Sequence, residues 1–335
     1  MENLVNSSPL ILVLVFLVIG FAFLMKGADF FVEGSSSIAK RLKVPPIIIG
    51  LTIVAMGTSL PETAVSVTAS LVNNNELAVS NVVGSNIFNL MVVVGVCSIL
   101  TPILVQKETI KRDIPFSMIC AFLLLGLGIL AVGDKIGMRL GHLDGMILLG
   151  FFAGYIVAMI QSAMKARAAG KNVEIEGIEE LEEEIGILSW PKSILFIVGG
   201  ALAIAFGGDL TVDAASRIAI DLGMSQTLVG LTIVSIGTSL PELVTSVVAA
   251  RKNEVDMAVG NAVGSNIFNI LMVLGIASAI NPVALIRENI IDIVILIVFS
   301  LIVWIYAATK RKISRKEGIS MVCLYLIYAG YIIWR

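Results

Sequence analysis

The stretch GLTIVAMGTSLPE at residues 50–62 returns at 230–242 as GLTIVSIGTSLPE, with two differences in thirteen positions. Each copy sets a carboxylate directly after a proline, inside a long apolar run. Outward from this core the match continues without a gap. Residues 26–105 align with 206–285 at a constant offset of 180, and 36 of the 80 positions are identical. SNVVGSNIFN (80–89) meets GNAVGSNIFN (260–269), Asp29 meets Asp209, and Pro102 meets Pro282. Helices that merely share composition would match at scattered Leu, Val and Ile. Here the rarer polar residues coincide in register, so the chain is a duplication.

The composition says where the duplicated unit resides. Of 335 residues, 57% are hydrophobic and 14% charged, with a mean hydropathy of +0.98. A soluble domain carries about 25% charged residues, so this is an integral membrane protein, and neither an enzyme nor a nucleic-acid binder is expected. A spanning helix needs roughly 20 mostly apolar residues. Ten such runs lie near 10–25, 45–70, 77–102, 113–133, 143–164, 191–207, 225–250, 257–282, 289–308 and 318–334. The first and sixth extend amphipathically toward 40 and 220. The runs are too long and continuous for barrel strands, which alternate over short segments. The first run lacks a basic flank and a cleavage site and reads as a retained helix. Cys97, Cys120 and Cys323 are scattered through apolar runs and read as small packing residues.

Loop charge sets the orientation, because Lys and Arg concentrate on the cytoplasmic side. With the N-terminus outside, seventeen Lys and Arg fall in inner loops and five in outer ones. The expected fold is therefore all-α, with ten transmembrane helices as two inverted five-helix repeats. The repeats span 1–165 and 191–335, with cores at 50–102 and 230–282, and both termini lie outside the cell membrane. Five is odd, so the second repeat enters upside down, an arrangement that places a substrate site near the midplane. Residues 166–190 join the halves. Seven glutamates fall there, at 174, 176, 179, 180, 182, 183 and 184, without the spacing of an EF-hand, so the segment reads as a solvated cytoplasmic linker.

The polar residues inside the runs carry the function. Thr58, Glu62 and Ser66 fall at i, i+4 and i+8, as do Thr238, Glu242 and Ser246, with Ser59 and Ser239 beside them. Pro61 and Pro241 oppose the carbonyls of Gly57 and Gly237, so each helix is expected to break there and free oxygens. Such oxygens are tolerated at membrane depth only in a cavity or buried in protein. Asn81, Ser85 and Asn89 share a face, and so do Asn261, Ser265 and Asn269. An acid at a helix centre costs roughly 2.5–3.5 kcal/mol, and no Lys or Arg lies mid-span to neutralise Glu62 and Glu242. Their counter-charge must come from protons or a metal cation. An all-oxygen donor set suits calcium, and also sodium or manganese, better than zinc or copper. Two carboxylates match one divalent ion or two monovalent ions, and this competition is the minimum chemistry of an antiporter.

The paired GTSLPE segments, each followed by GSNIFN, resemble the two repeats of sodium/calcium exchangers in the cation/calcium antiporter superfamily. The short loops resemble a prokaryotic member. The resemblance implies Ca2+ and Na+ as transported ions and no cofactor. It implies that Glu62 and Glu242 bridge calcium and contribute to sodium sites, and that Thr58 and Thr238 give backbone oxygens to calcium. Ser59, Ser85, Ser239 and Ser265, with carbonyls near Ala55 and Ser235, would line sodium sites. Asn89 and Asn269 would lie beside the centre. The long first and sixth helices would slide across the other eight. Many members carry aspartate at the position of Asn269, so this chain has one fewer ionisable group. Proton coupling, or another divalent ion, is the alternative. Proton-coupled relatives usually carry a G-N-x-x-E type motif where this chain has TSLPE. A channel or a membrane scaffold would need neither the duplication nor its exact polar register. Asp29 and Asp209 read as helix terminators at the membrane interface.

Overall fold

The computed structural model describes residues 2–71, 75–130, 138–168, 188–224, 233 and 235–334. Nearly all of the described backbone is helical, as lipid requires of a spanning chain that must satisfy its own N–H and C=O groups. We label the main helices α1 (Leu10–Leu42), α2 (Pro46–Thr58 and Leu60–Leu71), α3 (Ala78–Leu100), α4 (Thr109–Ile129) and α5 (His142–Ala168). The second half gives α6 (Trp190–Asp221), α7 (Ser235–Gly237 and Leu240–Arg251), α8 (Val255–Ile280), α9 (Arg287–Lys310) and α10 (Arg315–Trp334). Eight are long and apolar enough to span a membrane, and the bent α2 makes nine among the described residues. The seventh expected span, near 225–250, has most of its first part outside the described residues. Residues 169–187 of the expected linker 166–190 also lie outside the described residues.

α3 and α8 form the enclosed centre, whereas α1 and α10 turn most of their apolar surface outward. α1 has 33 residues and α6 has 32. At about 1.5 Å per residue each approaches 50 Å, well beyond a hydrocarbon core of about 30 Å, so each must tilt or extend past it. They pack antiparallel along small residues spaced by seven: Gly20, Gly27 and Gly34 meet Gly207, Gly200 and Ser193. A Cβ added at Gly200 would lie 2.7 Å from the carbonyl of Gly27, so these backbones touch. The pair also reaches α2 and α7. The Phe31 ring covers Gly57, and Val212 covers Gly237.

Two short antiparallel ladders tie the remaining helices. Ile103 and Leu104 pair with Ile313 and Lys312, and Arg139 and Leu140 pair with Ala284 and Val283. The first ladder lies before α4 and after α9; the second lies after α4 and before α9. These two helices therefore run antiparallel between the ladders. Residues 103–104 and 283–284, which correspond under the offset of 180, sit at opposite ends of that pair.

Asp29 and Asp209 do not terminate helices. Each lies inside one, in α1 and α6. Asp29 is instead paired with Lys252 at 3.4 Å and Lys26 at 3.8 Å, and its backbone carbonyl accepts from Lys252 at 3.0 Å.

Candidate functional site

The proline positions shape the site as elementary sterics requires. α2 bends by 49° between its two pieces. The joint is Ser59, with φ −84° and ψ 12°; its mate in the second half, Ser239, has φ −95° and ψ 6°. Both lie in the sparsely populated bridge between helix and strand. Pro61 and Pro241 fall in the first turn of the following piece, where a missing N–H is tolerated. The break thus puts Thr58 and Ser59 off the axis of the helix that carries Glu62 and Ser66.

Further backbone irregularities surround the break. Gly50–Val54 of α2, Asn89–Val93 of α3 and Asn269–Val273 of α8 are π-helical turns. Such wide turns recur at functional sites. Tyr155 of α5 props the first by donating to the Leu51 carbonyl at 3.1 Å. α8 lies directly against that turn, because a Cβ on Gly264 would meet Leu51 and Ala55 at 2.8 Å.

Glu62 and Glu242 are fully buried. Each takes its serine from the other half: Ser239 Oγ donates to Glu62 Oε1 at 3.2 Å, and Ser59 Oγ donates to Glu242 Oε1 at 3.0 Å. Ser85 and Ser265 add a same-half donor to each, at 3.4 and 3.5 Å. Ser265 also reaches the Ala55 carbonyl at 3.5 Å. The threonines cross over as well. Thr58 Oγ1 donates to Asn261 Oδ1 at 3.0 Å, and Thr238 Oγ1 donates to Asn81 Oδ1 at 3.3 Å. Asn81 Nδ2 binds the Glu62 carbonyl and Ser66, and Asn261 Nδ2 binds the Glu242 carbonyl and Ser246.

Four buried oxygens on the helices that build this cage have no hydrogen-bond partner: Glu62 Oε2, Glu242 Oε2, Asn89 Oδ1 and Asn269 Oδ1. They form a matched set under the duplication, and all are acceptors. None of the ion pairs among the described residues involves either glutamate. Nor do three His, Cys, Asp or Glu side chains cluster anywhere among the described residues. What remains is a two-carboxylate cage completed by neutral oxygens. An unpaired charge at such depth is costly, so this arrangement invites a cation.

The expected residues Thr58, Ser59, Glu62, Ser85, Thr238, Ser239, Glu242 and Ser265 are all joined in this network, and the Ala55 carbonyl touches it. Ser235 opens the short helical piece Ser235–Gly237, and its side chain lies outside the described residues. Asn89 and Asn269 lie one helical turn beyond Ser85 and Ser265, which bind the glutamates; their NH2 groups bind Asn266 and Asn86 at 3.2 and 3.1 Å. Asn86 and Asn266 were not singled out from sequence. They stand in both GSNIFN copies, one residue off the face that carries Ser85 and Asn89, and this duplication was the only signal available.

Comparison with known proteins gives the family. The family described as sodium/calcium exchanger protein matches residues 12–161 and 192–334. The putative antiporter CaxA of Alkalimonas amylolytica is 37% identical over 323 residues, covering 94% of this chain and 96% of the relative. The sodium/calcium exchanger MaX1 of Methanosarcina acetivorans is 33% identical over 336 residues, covering 93% and 96%. Among solved structures, the sodium-calcium exchanger NCX_Mj soaked with zero Na+ and Ca2+ superimposes with a TM-score of 0.81 at 30% identity, covering 96% of this chain and 99% of that one. With its apolar helices and its matched pair of buried carboxylates, the chain is a multi-pass membrane protein and a member of the sodium/calcium exchanger family.

Proposed function

We propose that this protein exchanges Ca2+ for Na+ by alternating access at the cage between Glu62 and Glu242. The observation that carries the reading is the set of four buried, unpartnered oxygens, two from carboxylates and two from amides. Calcium takes about 6–8 oxygen ligands. The glutamates supply charge equal to one Ca2+, and the Asn89 and Asn269 oxygens and nearby backbone carbonyls extend the shell. Ser59, Ser85, Ser239 and Ser265, with the carbonyls of Ala55 and Ser235, line the flanking positions for Na+. Thr58 and Thr238 sit at the breaks and contribute backbone oxygens. Because both ions draw on the same carboxylates, loading one excludes the other.

The motion belongs to α1 and α6, which slide as a pair over the other helices and carry Phe31 and Val212 past the two breaks. Ten spans in two inverted repeats, 1–165 and 191–335 with the linker 166–190, is the topology we favour. Its support is the opposite placement of residues 103–104 and 283–284 along antiparallel α4 and α9. Seventeen of the Lys and Arg residues then face the cytoplasm, and both termini lie outside.

The test is uptake of radioactive calcium into proteoliposomes loaded with sodium, with potassium-loaded vesicles as the control. Uptake driven by internal sodium supports the reading. Uptake that ignores sodium and follows a proton gradient would replace it with proton coupling.

A further inference from the structure

Asn86 and Asn266 are buried where α3 and α8 cross. Their amides admit one orientation. Asn86 Nδ2 donates to the backbone carbonyl of Asn266 at 3.1 Å, and Asn266 Nδ2 donates to that of Asn86 at 3.1 Å. A carbonyl only accepts, so each amide must turn its NH2 to the opposite backbone and its oxygen the other way. Those oxygens accept from Asn269 Nδ2 at 3.1 Å and from Asn89 Nδ2 at 3.2 Å. The series ends at Asn269 Oδ1 and Asn89 Oδ1, which have no partner. Turned round, either amide would press its oxygen against its neighbour's oxygen and present NH2 to the cage.

We infer that Asn86 and Asn266 are positioning residues for cation binding, which hold the Asn269 and Asn89 amides with oxygen facing the cage. The inference rests on reading that cage as the cation site. An amide free to rotate offers a cation either an attractive oxygen or a repelling NH2. Anchoring through two backbone carbonyls removes the second choice, and a neutral side chain becomes a dependable hard donor. The control is crossed between halves. Asn86 acts on Asn269, and Asn266 acts on Asn89.

Helix glue is the competing role, since Asn often fastens membrane helices. The two roles separate because a carboxylate has no wrong face. The experiment measures Ca2+ binding to the purified full-length chain by isothermal titration calorimetry. The variants are Asn86→Ala, Asn269→Asp and the double variant, each with a calcium-free melting temperature. Asn86→Ala is expected to weaken Ca2+ binding roughly 10–100-fold, as loss of an outer-shell partner does. In the Asn269→Asp background the same substitution should change binding by no more than about twofold, or tighten it. An equal loss in both backgrounds overturns the inference and leaves glue. If Asn86→Ala does not fold, Asn266→Ala with Asn89→Asp runs the same cycle on the other half. Glu62→Gln tests the underlying reading separately: undiminished Ca2+ binding in that variant removes the cage itself, whatever Asn86→Ala does.

Discussion

The hydrogen bond from Thr58 to Asn261 and the one from Thr238 to Asn81 are mates under the duplication, yet they sit in different surroundings. The first, at 3.0 Å, is sealed, with both residues fully enclosed. The second, at 3.3 Å, is half-buried. Along α8 every residue from Asp256 to Phe268 is buried. Along α3, Ser80 is exposed and Asn81 and Gly84 are half-buried. On the sealed side α1 is clasped to the corner between α7 and α8. Lys252 holds Asp29, and Ser36 donates to Glu254. The positions 180 residues before Lys252 and Glu254 are Val72 and Asn74, which carry no charge with which to repeat the clasp. The cage is two-fold in its hydrogen-bonding residues but one-sided in its burial. An exchanger needs both properties. Identical motifs supply the first, and divergence just outside them supplies the second.

This contrast can be broken most sharply at the shared carboxylates. Glu62→Gln and Glu242→Gln should each reduce sodium-driven calcium uptake to background, with folding kept as judged by gel filtration. Substantial uptake in only one of them would end the two-fold description of the cage. Next in size, Gly200→Val should slow exchange strongly while leaving calcium affinity close to native. The added side chain overpacks the α1–α6 contact, typically at about 1–3 kcal/mol, and touches no cage residue. Uptake kinetics compared with calorimetric binding would check it.

Access itself can be read with a membrane-impermeant thiol reagent. Cys97 and Cys120 are buried and Cys323 is exposed, so the background is Cys323→Ser. Asn81→Cys should react several times faster than Asn261→Cys, and equal rates would contradict the one-sided structure. The smallest effect is expected from Lys252→Met. Its ion pair with Asp29 is partly exposed, and such pairs contribute about 1 kcal/mol or less. Losing it should narrow the labelling difference between those two cysteines without abolishing uptake.

Much of this was legible in the sequence, because the duplication repeats polar residues that lipid would otherwise exclude. The breaks followed from Pro61 and Pro241, and the buried pair from Glu62 and Glu242. Partner choice was not legible. Spacing along one helix relates Ser59 to Glu62, whereas in space Ser59 serves Glu242. Helical periodicity also favoured Asn89 over Asn86, since only the crossing of α3 and α8 gives Asn86 a task. The seven-residue spacing of Gly20, Gly27 and Gly34 stood in plain view. Its significance depended on a partner with the same spacing 159 or more residues away. Asp29 misled because a charge in an apolar run suggests a helix end, whereas here it is matched by a lysine from the turn between α7 and α8.

The two ladders bear on how such a molecule withstands its own work. One stitches the turn between α3 and α4 to the turn between α9 and α10, and the other stitches the turn between α4 and α5 to that between α8 and α9. Six helices are thereby joined, four at each rim with only α4 and α9 held at both, and α1, α2, α6 and α7 belong to neither ladder. A sliding pair exerts a load on whatever it slides against, and an unbraced bundle would splay under it. If α1 and α6 slide as proposed, the ladders brace the helices they join at the rims while the outer pair travels.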